Sequence, residues 1–230
     1  MTTDCETIPG VRTIYRSKEE QNVDQQDVSS RLVLPCAYHI TNAFSYDALA
    51  KLQELRLQIP LDITRKTCPR RFLTEKQQVD DNTKPQHQED GWVGALIDSA
   101  VLGWNLTHRL RSLPWYRFLE YSEGGYMNKH TDGSNLHPET LQRSVATMMI
   151  YLSTCSTGGE TTLYRKCKMK QKHKVKRNDE LLDEPDIIER IRPVWNTALI
   201  FPHGWQHSGE HVENDSKIAL RVDLTWVQPP

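Results

Sequence analysis

Hydrophobic positions change their spacing along the chain, and the change predicts the order of its elements. In the stretch SYDALAKLQELRLQI, apolar residues recur on one side of a helix at Leu49, Leu52, Leu55 and Ile59. Ser45 stands directly before this stretch, where a hydroxyl can cap the first turn. The pattern predicts an amphipathic helix that follows an ordered beginning at about RLVLPCAYHI.

A second helical periodicity follows a polar region that contains Pro69 and Pro85. Its apolar positions are Trp92, Leu96, Ala100, Trp104 and Leu110. This spacing predicts one long helix, which we expect Pro114 to end because proline removes a helical hydrogen bond.

The carboxyl-terminal half has a different sequence pattern, in which turns separate short runs rich in β-branched and aromatic residues. The runs are WYRFLEY, SVATMMIYLS, TTLYR, RPVWNTALIF and IALRVDLTWV. Helices first and strands later, without βα alternation, predict an α+β, mainly β fold. In this fold, antiparallel strands are buttressed by amino-terminal helices.

Length and patterning predict one folded domain. A chain of 230 residues with 37% hydrophobic residues can bury one good core. Residues 1–30 are polar without periodicity, so we expect a flexible tail there and a single domain over 31–230. A basic run followed by an acidic run predicts a charged insertion at 165–190, either a solvated loop or a docking surface for an acidic partner.

Charge and cysteine content narrow the expected partners and compartment. A net charge of -1 and a pI of about 6.8 provide no overall field for nucleic acid or an anionic membrane. No stretch approaches the roughly 18 apolar residues of a membrane span, and no secretory signal is evident. The five cysteines lack the short spacing of zinc or redox motifs, which favours reduced thiols in the cytoplasm or nucleus.

Candidate chemistry is concentrated at His130 and Asp132. Alternate residues of a strand point to one face, so both side chains can reach one metal ion. A third donor is available from His203, His207 or His211. Two histidines and one carboxylate form the facial triad of non-heme Fe(II) oxygenases, although an isolated pair of this kind is also typical of a buried histidine oriented by an aspartate.

Two basic residues follow on the last predicted strand. Lys217 and Arg221 are four residues apart, so both face the same side. Burying two cations without an anion is costly, and the pair could instead fix a dicarboxylate.

Residues 121–226 resemble the Fe(II)/2-oxoglutarate-dependent dioxygenases, specifically the prolyl 4-hydroxylase-like branch. The resemblance depends on several motifs in the family's order. They are Tyr121, Gly124, Gly125 and Tyr126 before the His130 and Asp132 pair, then Tyr151, Leu152 and Ser153, then the turn from Gly158 to Thr161, then His207, Val212 and Lys217.

The resemblance implies a double-stranded β-helix, or jelly-roll barrel, with a metal at its mouth. The residues that match the iron ligands are His130, Asp132 and His207, which leaves His203 and His211 in supporting or surface roles. Lys217 matches the residue that binds the C5 carboxylate of 2-oxoglutarate (2OG), with Tyr151 as its hydrogen-bonding companion and Arg221 as a second basic residue. The resemblance also assigns Tyr121, Thr161 and Thr162 to the pocket wall, and ordinary packing is the alternative for these three.

The implied cofactors are Fe(II), 2OG as cosubstrate, O2, and ascorbate as a reductant. The implied reaction is hydroxylation of an unactivated C–H bond with release of succinate and CO2, and the carboxylate of Asp132 favours hydroxylation over halogenation. The substrate is either a peptidyl proline or a free amino acid or small metabolite. A candidate aromatic wall for it consists of Trp92, Trp104, Trp115 and Trp205, although tryptophans at helical spacing are more often part of a core.

Three other functions remain open at this point. A cupin-type metal enzyme could use the same donors but would leave Lys217 and Arg221 unexplained, and an inactive barrel could act as a binding module. A nucleic-acid demethylase of the AlkB type is disfavoured, because a second arginine is expected six residues after Arg221 and Val227 stands there.

Overall fold

The computed structural model describes residues 9–15, 34–74, 91–137, 140–165 and 187–227. The helices in these ranges are α1 (Tyr46–Gln58) and α2 (Trp92–Gly103). The strands are β1 (Gly10–Tyr15), β2 (Cys36–Thr41), β3 (Arg70–Thr74), β4 (Leu110–Tyr121), β5 (Met127–His130), β6 (Ala146–Tyr151), β7 (Thr161–Tyr164), β8 (Ile187–Ile191), β9 (Thr197–Pro202), β10 (Gln206–Gly209) and β11 (Lys217–Trp226).

The strands form two antiparallel sheets that enclose the candidate site. The larger sheet has seven strands in the order β1-β2-β9-β6-β11-β4-β3, and the smaller has four in the order β5-β10-β7-β8. Tyr151 of the larger sheet hydrogen bonds to Thr161 of the smaller sheet, so the inner faces meet. This arrangement is the expected double-stranded β-helix, and the five strands predicted from apolar runs are confirmed as β4, β6, β7, β9 and β11.

Both helices cover the outer face of the larger sheet. Helix α1 buries Leu49, Leu52 and Leu55, and the Ser45 hydroxyl accepts a hydrogen bond from the Ala48 amide at 3.3 Å, as predicted. These side chains share one buried cluster with apolar residues of β2, β6, β9 and β11. The helices therefore brace the sheet from behind. No helix within the described ranges is long and apolar enough to cross a membrane.

The second helix is shorter than the sequence predicts. Helix α2 ends at Gly103, and Asn105 has a left-handed backbone with φ of 52° that stops its continuation. Pro114 does not end a helix, because it lies inside β4, where the pairing with β11 shifts register between Val222 and Leu224. This irregularity accommodates a residue that has no amide proton.

Residues 10–15 correct the prediction of a flexible tail over 1–30. They form β1, which pairs along its whole length with β2, and Ile14 is buried because it packs into the core. Val11 and Ile14 are three residues apart, which is not the alternation that predicts a strand. The other residues of the predicted tail lie outside the described residues.

The predicted insertion at 165–190 also needs a correction at its end. Residues 187–190 belong to β8, which pairs with β7, and Glu189 of this strand forms an ion pair with Arg12 of β1. Ile187 and Ile188 were not recognised as part of a strand, because acidic residues flank them in the sequence. Residues 166–186 lie outside the described ranges.

Candidate active site

Two short paired strands bring three metal-binding side chains together. His130 of β5 lies directly opposite His207 of β10, and Asp132 follows two residues after the end of β5. One Asp132 oxygen is 3.6 Å from Nε2 of His130, and the other is 3.6 Å from Nε2 of His207. All three donor atoms lie within 4.8 Å of one another, which is a donor set that could hold one metal ion.

Backbone carbonyls orient both imidazoles toward this centre. Nδ1 of His130 lies 2.7 Å from the Asn128 carbonyl oxygen, and Nδ1 of His207 lies 3.1 Å from that of Trp205. A carbonyl at Nδ1 favours the tautomer that carries its proton there. The lone pair of each Nε2 is then free to face a metal.

The carboxylate is held in place from the larger sheet. Thr147 donates a hydrogen bond of 2.5 Å to Asp132, and Nη2 of Arg221 lies 3.2 Å from the same oxygen. Burial alone would raise the pKa of Asp132, but the hydrogen bond from His130 and the charge of Arg221 outweigh it and hold the pKa far below its usual value. Asp132 is therefore ionised at neutral pH.

The two histidines have different electrostatic surroundings. Burial lowers the pKa of His207 to about 4, so this imidazole is neutral at pH 7. The hydrogen bond with Asp132 raises the pKa of the more exposed His130. A bound cation would compete with this proton, because a metal ligand must be a neutral imidazole.

A buried lysine lies at the other end of the cavity. Lys217 is 2% exposed, and its Nζ lies 3.2 Å from Oγ1 of Thr161 and 5.2 Å from the ring centroid of Tyr121. Tyr151 donates a hydrogen bond of 2.9 Å to the same Thr161 oxygen. Lys217 has no carboxylate within ion-pair distance among the residues that the structure describes, and burial lowers its pKa to about 8.

Arg221 occupies a different place from Lys217. Its guanidinium contacts Asp132 and also Asp223, the latter at 3.0 Å. Arg221 is thus already neutralised by two carboxylates, whereas Lys217 is not. Of the two basic residues, Lys217 has the surroundings that suit an incoming carboxylate.

The donors and Lys217 face one cavity of about 280 Å³. Tyr121 and Thr161 line it, but Thr162 does not, because neighbouring residues of a strand face opposite sides. The candidate aromatic wall is wrong. None of Trp92, Trp104, Trp115 and Trp205 lines this cavity, and Trp104 instead packs edge-on against Phe44 in the core.

The two remaining candidate histidines lie away from the donor set. His203 is buried, with its Nε2 3.7 Å from an oxygen of Asp223, so it supports the carboxylate that holds Arg221. His211 is exposed, and its ring lies 4.3 Å from that of Tyr126.

Sequence reasoning missed several cavity residues. Thr147 and Asp223 fix Asp132 and Arg221, and three arginines, Arg65, Arg70 and Arg117, line the cavity. The alternation of Arg117, Leu119 and Tyr121 along β4 was the available signal, since alternate residues of a strand share a face. No signal pointed to Arg65 or Arg70, which come from a region without recognisable periodicity.

Residues 116–225 match the profile of the 2OG-Fe(II) oxygenase superfamily. This segment contains the three candidate metal donors and Lys217. Residues 116–225 therefore form a 2OG-Fe(II) oxygenase domain. Such a domain implies an oxygenase enzyme that uses Fe(II), 2OG and O2.

Solved structures of other oxygenases share this fold at low sequence identity. A prolyl hydroxylase from Trichoplax adhaerens, in complex with a hypoxia inducible factor peptide fragment, has a TM-score of 0.53 at 10% identity, over 90% of this chain and 91% of that one. HygX from Streptomyces hygroscopicus, with nickel and 2OG bound, has a TM-score of 0.54 at 11% identity, over 92% and 87%.

A third neighbour is an oxidoreductase of the 2OG-Fe(II) oxygenase family from Burkholderia pseudomallei. Its TM-score is 0.53 at 12% identity, over 80% of this chain and 81% of that one. At such identities the likeness concerns the fold of this oxygenase and not its substrate. No curated protein matches the chain.

Proposed function

We propose that this oxygenase hydroxylates an unactivated C–H bond of a peptidyl proline or a related substrate and releases succinate and CO2. In this proposal, His130, Asp132 and His207 hold Fe(II). Lys217 binds the C5 carboxylate of 2OG, with Thr161 and Tyr151 beside it, and ascorbate serves as a reductant.

One observation carries the proposal: a two-histidine, one-carboxylate donor set and a buried ammonium group face the same cavity. The donor set fits Fe(II) with open coordination positions, and Nζ of Lys217 contacts Thr161 without a carboxylate partner in the described part of the chain. An uncompensated buried charge is costly, so an anionic ligand would remove the penalty. A dicarboxylate that also chelates the metal satisfies both ends of the cavity.

When bound, iron with 2OG and O2 supplies the oxidant for the C–H bond. The residues of the chain contribute positions and charges. Thr147 and Arg221 fix the carboxylate of Asp132, and backbone carbonyls fix both imidazoles. The buried side chains of Tyr121 and Phe201 add aromatic surface to the cavity wall beside Lys217 and His207.

The choice of proline draws support from the prolyl hydroxylase that shares this fold. A free amino acid or small metabolite is the second candidate, and the small cavity favours it. A volume of about 280 Å³ lies just below the range of typical ligand pockets, which is roughly 300 to 1,000 Å³. After 2OG is bound, this space admits only a small substrate or the reacting end of a larger one.

The test is a turnover screen with Fe(II), 2OG, O2 and ascorbate. Proline-containing peptides are compared with free amino acids, and mass spectrometry measures the gain of one oxygen atom while succinate is quantified in parallel. The proposal expects oxygenated product and succinate in equal amounts for one class, and neither product in Asp132→Ala. Product that forms without 2OG, or in Asp132→Ala at the same rate, would refute it.

A further inference from the structure

Three arginines that take no part in the proposed iron and 2OG contacts line the same cavity. Arg117 of β4 lies directly opposite Arg221 of β11, and Arg70 of β3 lies opposite Leu119 of β4. Arg65 precedes β3 and is exposed. All of these residues line the cavity.

The charges of this lining are unbalanced. Five cationic side chains line the cavity, and Asp132 is the one acidic residue among the described lining residues. Arg221 contacts two carboxylates, and Arg70 lies 3.5 Å from Asp62. The guanidinium of Arg117 has no hydrogen bond or ion pair with any residue in the described ranges. Burial together with the charge of Arg221 lowers its pKa and outweighs the attraction of Asp223 and Asp132.

Such an arrangement is unfavourable without a ligand. Like charges directly opposite each other on paired strands are destabilising, and a half-buried guanidinium without a partner loses hydration. A guanidinium presents a planar fork that matches a carboxylate or a phosphate. An anion bound at Arg117 would offset both costs.

The anion at Arg117 is distinct from the cosubstrate carboxylate at Lys217. Lys217 pairs with Tyr121 and Arg221 pairs with Arg117, so the two sites lie four residues apart along the β4 and β11 ladder. At ~3.3 Å per residue, this spacing is about 13 Å along the strands. Asp132, one of the proposed metal donors, contacts Arg221, the residue that pairs with Arg117.

We infer that the substrate of this oxygenase carries an anionic group, a carboxylate or a phosphate, that binds Arg117, with Arg70 and Arg65 contributing positive charge nearby. This inference deepens the proposed function and rests on it. It makes anionic amino acids, phosphorylated metabolites and acidic peptide segments the substrates to examine first.

The experiment measures anion binding to the loaded enzyme without turnover. The protein is saturated with Fe(II) and 2OG under nitrogen, and the visible charge-transfer band reports loading. Benzoate, phenyl phosphate and benzamide are then titrated by calorimetry, since they share one ring and differ in charge. The variant is Arg117→Gln, and the control is Arg109→Gln, an exposed arginine outside the cavity lining.

We expect at least one of the two anions to bind saturably and at least tenfold more tightly than benzamide. Arg117→Gln should weaken that binding at least tenfold, whereas Arg109→Gln should leave it unchanged, with the same band in all three proteins. The tighter anion identifies the group as a carboxylate or a phosphate.

Three results would overturn the inference: benzamide binding as tightly as the anions, anion binding unaffected by Arg117→Gln, or a variant that weakens 2OG instead. If the variant does not fold, the comparison of charged and neutral probes on the wild type still tests whether the loaded enzyme prefers an anion. Absence of the band in the wild type is a separate result, which refutes the proposed function.

Discussion

At the scale of single residues, neighbouring side chains and burial set the protonation state of each ionisable residue in the site. Asp132 is ionised because His130, Arg221 and Thr147 favour its charged form, and His207 is neutral because it is buried. Lys217 is the exception, since burial opposes its charge and no described carboxylate lies within ion-pair distance of it. Its charge is therefore the property most sensitive to pH and to ligand.

Replacing Lys217 tests whether its ammonium group binds a carboxylate of 2OG. Lys217→Met should weaken 2OG binding by roughly 30-fold or more, which corresponds to about 2 kcal/mol, because a buried carboxylate would lose its partner. The measurement is anaerobic titration of 2OG into the Fe(II) enzyme. Thr225→Val, a buried change away from the cavity, is the control. Unchanged 2OG affinity in Lys217→Met would remove Lys217 from the site.

The same titration has an expected pH dependence. The pKa of Lys217 in the free protein is lowered to about 8, below its unfolded value, so the bound proton is lost as pH rises through 8. Only the ammonium form attracts a carboxylate, so 2OG affinity should be constant below pH 8 and fall above it. Lys217→Arg should flatten the profile because a guanidinium stays charged, and an equally steep profile in that variant would contradict the assignment.

Where motifs have fixed spacing, the sequence was enough to predict which side chains share the cavity. The pair His130 and Asp132 and the distal basic residue could be located because strand alternation and motif order constrain them. The surroundings of Arg221 could not, because its contacts with Asp132 and Asp223 depend on how two sheets face each other. Arg65 and Arg70 were invisible for the same reason.

At the scale of elements, a glycine turn sets the position of the strand that carries Thr161. Gly158 and Gly159 both have left-handed backbones, with φ of 70° and 72°. The Gly159 amide donates to the His211 carbonyl at 2.8 Å, which ties the start of β7 to the segment after β10. The turn thus links Thr161, beside Lys217, to the chain that follows His207.

Gly158→Ala should therefore be destabilising. A Cβ at Gly158 would lie 2.2 Å from the His211 carbonyl oxygen, and its positive φ disfavours any other residue. We expect a loss of at least about 2 kcal/mol in the free energy of unfolding, measured with urea. The matched control is Gly103→Ala, where a Cβ meets open space at the end of α2 and the change should stay within about 0.5 kcal/mol. Equal effects would refute the proposed role of the turn.

Element prediction was most accurate for long apolar runs and least accurate at boundaries. Five strands were predicted from their runs of β-branched and aromatic residues, whereas β5 and β10 have only four residues each and no apolar signature. Apolar residues continue at helical spacing beyond Gly103, although the helix ends there. Tertiary pairing of β4 with β11 decided the true end of α2.

At the scale of the whole molecule, the two sheets and two helices form two apolar clusters, one behind the larger sheet and one around the cavity. Strand β1 belongs to this unit, because Ile14 packs in the cavity-side cluster with Leu199 and Phe201. The amino-terminal strand therefore supports the wall on which the site is built.

Ile14→Ala should destabilise the entire molecule by about 2 kcal/mol, the lower end for a buried isoleucine, in one cooperative urea transition. Val11→Ala, on the same strand but 41% exposed, should change stability by less than about 0.5 kcal/mol. Circular dichroism and tryptophan fluorescence should report the same midpoint for each variant. Indistinguishable stabilities for the two variants would mean that β1 is not integral to the domain.

The central claim is that His130, Asp132 and His207 hold iron to which 2OG binds. Its most direct test is to add Fe(II) and then 2OG to the metal-free protein under nitrogen and to record the visible charge-transfer band. We predict a band in the wild type and in His211→Ala, and no band in His130→Ala or His207→Ala. Iron binding without a band in the wild type, or a band that survives in His207→Ala and is lost in His211→Ala, would contradict this assignment.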